Sequence, residues 1–389
     1  MLTDGVGNNT ARKLLSAFGL PPRIFEQSTT ALGQIVSERQ AQALLRSPEG
    51  LDKQMQLCQD WLSTDARTDN RTRRIVSLGD PLYPSALLTL PDPPLVLWLL
   101  GRIDLLESHG WPAAISMVGS RNPTQQGDKN AFAFANSFVD AGLCVVSGMA
   151  LGIDAAAHSG ALNAGKYDGS PDSLLTIAVV GTGLDRVYPK QNLELAHRIA
   201  DHGLVVSEFP LGSPPTAANF PKRNRLIAAL GLGTLVVEAA LQSGSLITAR
   251  ECLEVGKDVF AIPGSIHVAQ SKGCHALIKQ GAKLVESAAD VLEELRVTMP
   301  LQANISGHRQ SDPLAGQSGR GLQGTSRFQI SPAHAQHPLV LAMGFDPVSF
   351  DVLQARVDME ASTLQVQLLE LELDNVIIRV PGGLYQVAL

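Results

Sequence analysis

The chain has 389 residues, enough for two or three domains, and it is 44% hydrophobic but only 17% charged, so a large folded core is expected. No apolar run approaches membrane-span length, Leu95–Leu100 being far too short, and the four cysteines lie far apart without Cys-x-x-Cys spacing, which argues against disulfides and zinc and for a reducing cytoplasm. The formal net charge is −6, yet seven acids against two bases between Pro338 and Leu389 account for −5 of it, so the rest of the chain is close to neutral and open to an anionic ligand.

Residues 1–67 read as a helical region. Gly5-Val-Gly7 runs into a helix-forming stretch and is similar to a helix-hairpin-helix, whose backbone N–H groups can hold a DNA phosphate. As a lone signal it reads as a structural helical cap. From about Ala113 to Leu295 the pattern turns to strand, turn and helix in repetition. The expected strands are Ala114–Val118, Cys144–Ser147, Leu175–Val180, Leu204–Ser207, Thr234–Glu238, Val259–Ile262 and Ala282–Val285, short apolar runs suited to a parallel sheet buried on both faces. The expected helices between them include Ala131–Ala141, Ile153–Ala164, Asn192–Ala200 and Leu246–Val255. This alternation predicts an α/β fold, a Rossmann-like doubly wound parallel sheet within residues 68–299. The polar stretch Gly165–Ser173 reads as a surface loop. Residues 300–336, rich in Gln, Ser, Gly, His and Pro without periodicity, read as a flexible linker. Residues 337–389 read as a winged-helix-like module: helices at Val348–Ala355 and Thr363–Leu371, then a wing of Val376–Val380 and Leu384–Val387. Its recognition-helix position, Ala361–Asp374, holds three acids and no Lys or Arg, so the module reads as protein-facing or structural.

Ligands of a doubly wound sheet sit outside the carboxyl ends of its strands, and the informative loops all fall at such ends. Gly119, Ser120 and Arg121 follow the first strand of the alternation. Ser147-Gly148 opens the loop that leads to Asp154, and Gly181-Thr-Gly183, Ser207-Glu208 and Ser243-Gly244-Ser245 follow later ones. Small residues there let phosphate approach the backbone, while helix N-termini supply N–H donors. Phe220 and Pro221 precede three cations in four residues, Lys222, Arg223 and Arg225, with Asn224 among them. Cations are disfavoured by the dipole at a helix start, and an anion bound between them resolves the conflict. Phe220 offers a stacking surface for a base. Asp154 and His158, four apart on a helix, read as a buried hydrogen-bonded pair, and Glu208 as an acid/base or capping group. A dinucleotide site ranks low, because Arg186 stands at the third glycine position of G-x-G-x-x-G and Tyr188-Pro189 interrupts the helix. No P-loop is present, and no residue set qualifies as catalytic or metal-binding.

These motifs, together with Tyr188-Pro189, Glu238-Ala-Ala-Leu-Gln-Ser-Gly-Ser245 and Ile262-Pro-Gly264, resemble the DNA-processing protein A (DprA/Smf) family from about Tyr83 to Leu284. The resemblance implies an extended Rossmann-like domain that binds single-stranded DNA, protects incoming DNA in natural transformation, loads the RecA recombinase and dimerises. It maps Gly119, Ser120, Arg121, Ser147, Gly148, Lys222, Arg223, Asn224, Arg225, Ser243 and Gly244 to a DNA-binding pocket with Phe220 at its edge. Many relatives carry Arg at the position of Leu151, so this pocket is expected to be weaker or differently shaped. The alternative is a nucleoside-monophosphate phosphoribohydrolase of the lysine-decarboxylase-like type, on the partial likeness of Gly231–Glu238 to its Gly-Thr-Glu loop.

Overall fold

The computed structural model describes residues 2–63, 71–168, 173–295, 337–343, 348–357, 359, 361–373, 376–380 and 384–387. It divides into two units, Met1–Asn304 and Ile305–Leu389.

The first unit begins with five helices: α1 (Asn8–Phe18), α2 (Pro21–Phe25), α3 (Thr29–Gly33), α4 (Glu38–Leu44) and α5 (Leu51–Ser63). Their starts are written in the sequence. Pro21 opens α2, the Ser28 hydroxyl accepts from Ala31 N, and Ser37 with Gln40 forms a capping box on α4. Leu14, Ile24, Leu32, Val36, Ala41 and Leu44 make a small core among them.

A nine-stranded sheet follows. In chain order its elements are β1 (Thr72–Ser77), β2 (Val96–Gly101), α6 (Ile103–His109), β3 (Ala114–Val118), α7 (Gln125–Asp140), β4 (Cys144–Ser147), α8 (Ile153–Asp168) and β5 (Thr176–Val179). Then come α9 (Leu193–His202), β6 (Leu204–Ser207), α10 (Asn219–Leu230), β7 (Gly233–Val236), α11 (Ser245–Glu254), β8 (Asp258–Ala261), α12 (Lys272–Lys279), β9 (Lys283–Leu284) and α13 (Ala288–Glu294). The strand order is β1-β2-β6-β5-β4-β3-β7-β8-β9. From β6 to β9 all neighbours are parallel, whereas β1 pairs antiparallel with β2 and β2 antiparallel with β6. The order reverses at β3: the chain winds outward through β4, β5 and β6, then returns to place β7 on β3's other side. That reversal is the switch point at which such sheets bind ligands. Every residue of β3, β4, β5, β6 and β7 is buried, and two apolar clusters cover the sheet's faces.

The seven parallel strands lie where the apolar runs predict, within one or two residues. Three elements depart from the sequence reading. The antiparallel pair β1 and β2 extends the sheet at an edge that the alternation did not predict. Helix α8 continues through Gly165–Asp168, part of the expected surface loop, and the rest of that loop up to 172 lies outside the described residues. The N-terminal helices join the sheet through an Arg12–Asp92 ion pair at 3.2 Å, a Gln54 Nε2 bond to Leu211 O at 3.3 Å, and packing of Cys58 and Trp61 of α5 against the cluster around Trp98.

The expected linker at 300–336 also lies outside the described residues. In the second unit are α14 (Pro338–Met343), β10 (Val348–Ser349), α15 (Phe350–Val357), α16 (Ala361–Leu373), β11 (Ile377–Val380) and β12 (Leu384–Val387). The strands form an antiparallel sheet in the order β10-β12-β11, the wing with one strand more than the sequence reading supplied. Leu339, Leu353, Leu364, Leu368, Ile377 and Tyr385 fill its core.

Candidate functional site

A cavity of about 760 Å³ lies at the carboxyl ends of β3 and β7, on the switch point. Its walls are Gly119–Asn122 after β3, Ala150 and Asp154 around the start of α8, Tyr188, the entry to α10, and Gln242–Ser245 with the start of α11. Three helix N-termini thus face one space, and their dipoles favour an anion there, while the N–H groups of Ile153, Asn219, Ser245, Leu246 and Ile247 are already bonded within their own loops and first turns.

Helix α10 decides where the cations go. Phe220, Pro221, Arg223, Asn224 and Ile227 line the cavity, at the i, i+3, i+4, i+7 spacing of one helical face. Lys222 and Arg225 fall on another face and meet Glu208, at the end of β6. Arg225 Nη2 donates to Glu208 Oε2, and Lys222 Nζ lies 3.6 Å from the same oxygen. Lys222 remains 46% exposed and sits over the Phe209 ring. Glu208 is therefore an ion-pair partner, neither a helix cap nor a group facing the cavity. Its burial raises its carboxyl above the usual range, opposed by Arg225 and Lys222.

Arg223 is 4% exposed. Its Nη1 donates to Gly148 O at 2.6 Å and to Val179 O, tying the ends of β4 and β5 together. A Cβ at Gly148 would collide with both the Arg223 guanidinium and Asp154 Oδ2, so only glycine lets these two charges meet beneath the loop. Burial lowers Arg223 to about 10 and raises Asp154 above the usual carboxylate range; each is the main charge opposing the other's shift. The loop is braced further by Asn192, whose Nδ2 donates to Met149 O at 2.9 Å and Ala150 O at 3.1 Å. Met149 sits buried at φ 59, a conformation a non-glycine residue holds only when its surroundings impose it.

Asp154 and His158 do not form the expected pair. Asp154 Oδ2 accepts from Ala150 N at 3.2 Å and faces Arg223, whereas His158 turns to β5. Thr176 Oγ1 spends its proton on Val145 O, so it accepts from His158 Nδ1–H at 2.7 Å, which fixes the tautomer. Burial, then the nearby Arg223 charge, pull His158 down to about 3.

The mouth of the cavity is aromatic. Phe220 and Tyr188 stand 5.6 Å apart, centroid to centroid, and the Arg121 guanidinium lies over Phe220 at 5.6 Å. Opposite them, Asn224 Nδ2 reaches Gly244 O at 3.4 Å, and Ser243 Oγ pairs with Ser245 Oγ. The structure thus brings together Gly119, Ser120, Arg121, Phe220, Arg223, Asn224, Ser243 and Gly244 in one lining, with Gly148 and Leu151 in an adjoining recess. Ser147, Lys222 and Arg225 stay outside it, Ser147 being fully buried with its hydroxyl on Met117 O. The sequence reading missed Tyr188 as a lining residue; the signal available was an aromatic before proline in a strand-end loop. Glu238 is also off the lining. It accepts from Thr124 N at 2.9 Å and from the Thr124 hydroxyl, whose oxygen in turn caps α7.

The family model for DNA recombination-mediator protein A matches residues 74–296. The chain belongs to that family. A second model, the DprA winged helix domain, matches residues 327–383. Protein Smf of Synechocystis sp. is 37% identical over 320 residues, which is 79% of this chain and 78% of that protein. DNA processing protein DprA of Streptococcus pneumoniae is 47% identical over 219 residues, 56% of this chain and 73% of that protein. Among solved structures, the X-ray structure of DNA processing protein A from S. pneumoniae aligns at a TM-score of 0.60 and 37% identity, over 75% of this chain and 94% of that one.

Proposed function

We propose that this member of the family binds single-stranded DNA in the switch-point cavity, protects it in the cytoplasm during natural transformation, and passes it to the RecA recombinase, acting as a homodimer through the Rossmann-like domain. The observation that carries the reading is the cavity's construction. One wall offers the tilted ring pair Phe220 and Tyr188 with Arg121, and the other offers the N-terminus of α11 with Ser243 and Gly244. Bases stack on the first while phosphates meet the second; a duplex keeps its bases inside the stack and cannot use the aromatic wall. The family's description as a recombination mediator and the names of the DNA-processing relatives agree with this use. Within the site, Arg121, Phe220, Asn224, Ser243 and Gly244 contact the strand. Arg223, Gly148 and Ser147 shape it, and Lys222 and Arg225 act from the neighbouring face. Binding without turnover is the better reading because Glu238, the carboxylate the hydrolase alternative needs, is held by Thr124 away from the cavity.

Two assays test the reading. A labelled oligothymidine is expected to bind and a matched duplex to compete poorly; equal affinity for both would remove the single-strand claim. Incubation with nucleoside monophosphates is expected to release no free base, whereas sustained release abolished in Glu238→Gln would transfer the assignment to the hydrolase. Recombinase loading is read separately, as faster RecA filament growth on strands precoated with a single-strand-binding protein.

A further inference from the structure

Asn192 lines neither the switch-point cavity nor the recess beside it, yet it is buried and its side chain is bonded to the loop that lines both. Its Nδ2 donates to Met149 O at 2.9 Å and to Ala150 O at 3.1 Å. Only the amide nitrogen can meet two carbonyl oxygens, so the orientation of the carboxamide is fixed by its partners.

The peptide group between Met149 and Ala150 is held at both edges. Its carbonyl accepts from Asn192, and its N–H donates to Asp154 Oδ2 at 3.2 Å. Gly148 O before it accepts from Arg223, and Ala150 O after it accepts from Asn192 again. Three successive carbonyl oxygens are thereby spent on buried donors and are not left to repel an anion. The hold has a purpose, because Met149 at φ 59 is the one non-glycine residue at positive φ among the described residues. Such a conformation persists only where the surroundings over-determine it.

The same residue anchors a second loop. Asn192 ends the short turn after Tyr188 and Pro189, and its backbone N donates to Pro189 O at 3.1 Å. It thus joins the loop beyond β4, which gives Ala150 and Leu151 to the recess, to the loop beyond β5, which gives Tyr188 to the aromatic mouth. We propose that Asn192 is a positioning residue of the strand-binding site: it touches no nucleotide, and it sets the Ala150 backbone and the Tyr188 ring in the arrangement that receives a base. The inference rests on the single-strand reading above. Without the carboxamide, Met149 is free to relax to negative φ, which carries the Ala150 N–H off Asp154 and unties the Tyr188 loop. The receptive arrangement then becomes a minor population, and apparent affinity falls by that fraction.

The test titrates the full chain with oligothymidine carrying a central 2-aminopurine, whose emission is quenched on stacking. Asn192→Ala is expected to weaken binding about five- to thirtyfold, the population lost when strain of this order is released, and to lose most of the quenching in the strand that remains bound. Adding Met149→Gly to that variant is expected to return affinity to within about threefold of wild type, because glycine takes positive φ about as readily as negative. A residue that only adds stability would not be rescued by removing a further buried side chain. If Asn192→Ala does not unfold cooperatively, Asn192→Ser, which keeps one donor on a shorter arm, replaces it, with a loss in the same direction. A folded variant that binds and quenches like wild type, or a loss that Met149→Gly leaves unrepaired, overturns the proposal and leaves the single-strand reading standing. A wild-type chain that binds no oligothymidine removes both.

Discussion

Arg223 looks like the centre of a phosphate-binding cluster when the chain is read as a string. In the fold it is a buried strut: its guanidinium holds Gly148 O and Val179 O and faces Asp154. Removing one partner of a buried charge pair costs about 3–5 kcal/mol, so Arg223→Ala is expected to lower stability by that order in urea unfolding; a change near zero would refute the strut. Charge reversal at Arg223 would therefore report on folding, and Arg121, exposed at the mouth, is the proper site for testing electrostatics. His158 supplies a pH dependence. Its folded pKa of about 3 lies below the ordinary 6.5, so the unfolded chain takes up the proton first and stability is lost as pH falls through that interval. Asp154 and Glu208, both raised, work in the opposite sense, because the folded chain protonates them before the unfolded chain does. The clean readout is thus a difference: thermal unfolding of His158→Gln should fall less steeply on acidification than that of wild type. None of this was legible in the spacing of Asp154 and His158, since i, i+4 says that two side chains can touch and nothing about the better partners that Thr176 and Arg223 provide.

Helix α10 shows how an element sorts its residues. Phe220, Pro221, Arg223, Asn224 and Ile227 share one face, and Lys222 with Arg225 share another; that division follows from the helical period once Asn219 is known to begin the helix. The signal was in the sequence, hidden by reading the cations as one cluster. Seven strands were legible because burial on both faces demands unbroken apolar runs. β1 was not, because Thr72-Arg-Arg-Ile-Val-Ser77 is a half-exposed edge strand. Helices α7 and α8 approach closely through Gly160, where a Cβ would lie 2.2 Å from Phe132 O. Gly160→Ala should cost about 1–3 kcal/mol, the scale of overpacking, and unchanged stability would mean that the helices can separate.

At the scale of the whole molecule, charge and shape separate. The acidic excess belongs to Pro338–Leu389, while the cavity lining contains Arg121 and Arg223 against Asp154 and relies on helix N-termini for the rest of its positive potential. Fixed dipoles release no counterions, so the salt dependence of binding should be shallow. With Arg121 and Lys222 as the accessible cations, the log–log slope should be about −0.7 to −1.4; a slope several times steeper would place the strand on some other surface. The central claim, that one strand lies between the aromatic wall and the α11 N-terminus, is tested most directly by fluorescence anisotropy of labelled oligothymidine with wild type, Phe220→Ala and Arg121→Glu. The account predicts that Phe220→Ala costs about 1–3 kcal/mol of binding at every salt concentration, as lost stacking must. It predicts that Arg121→Glu weakens binding most at low salt, with both variants unfolding like wild type. Wild-type affinity in both variants would contradict it.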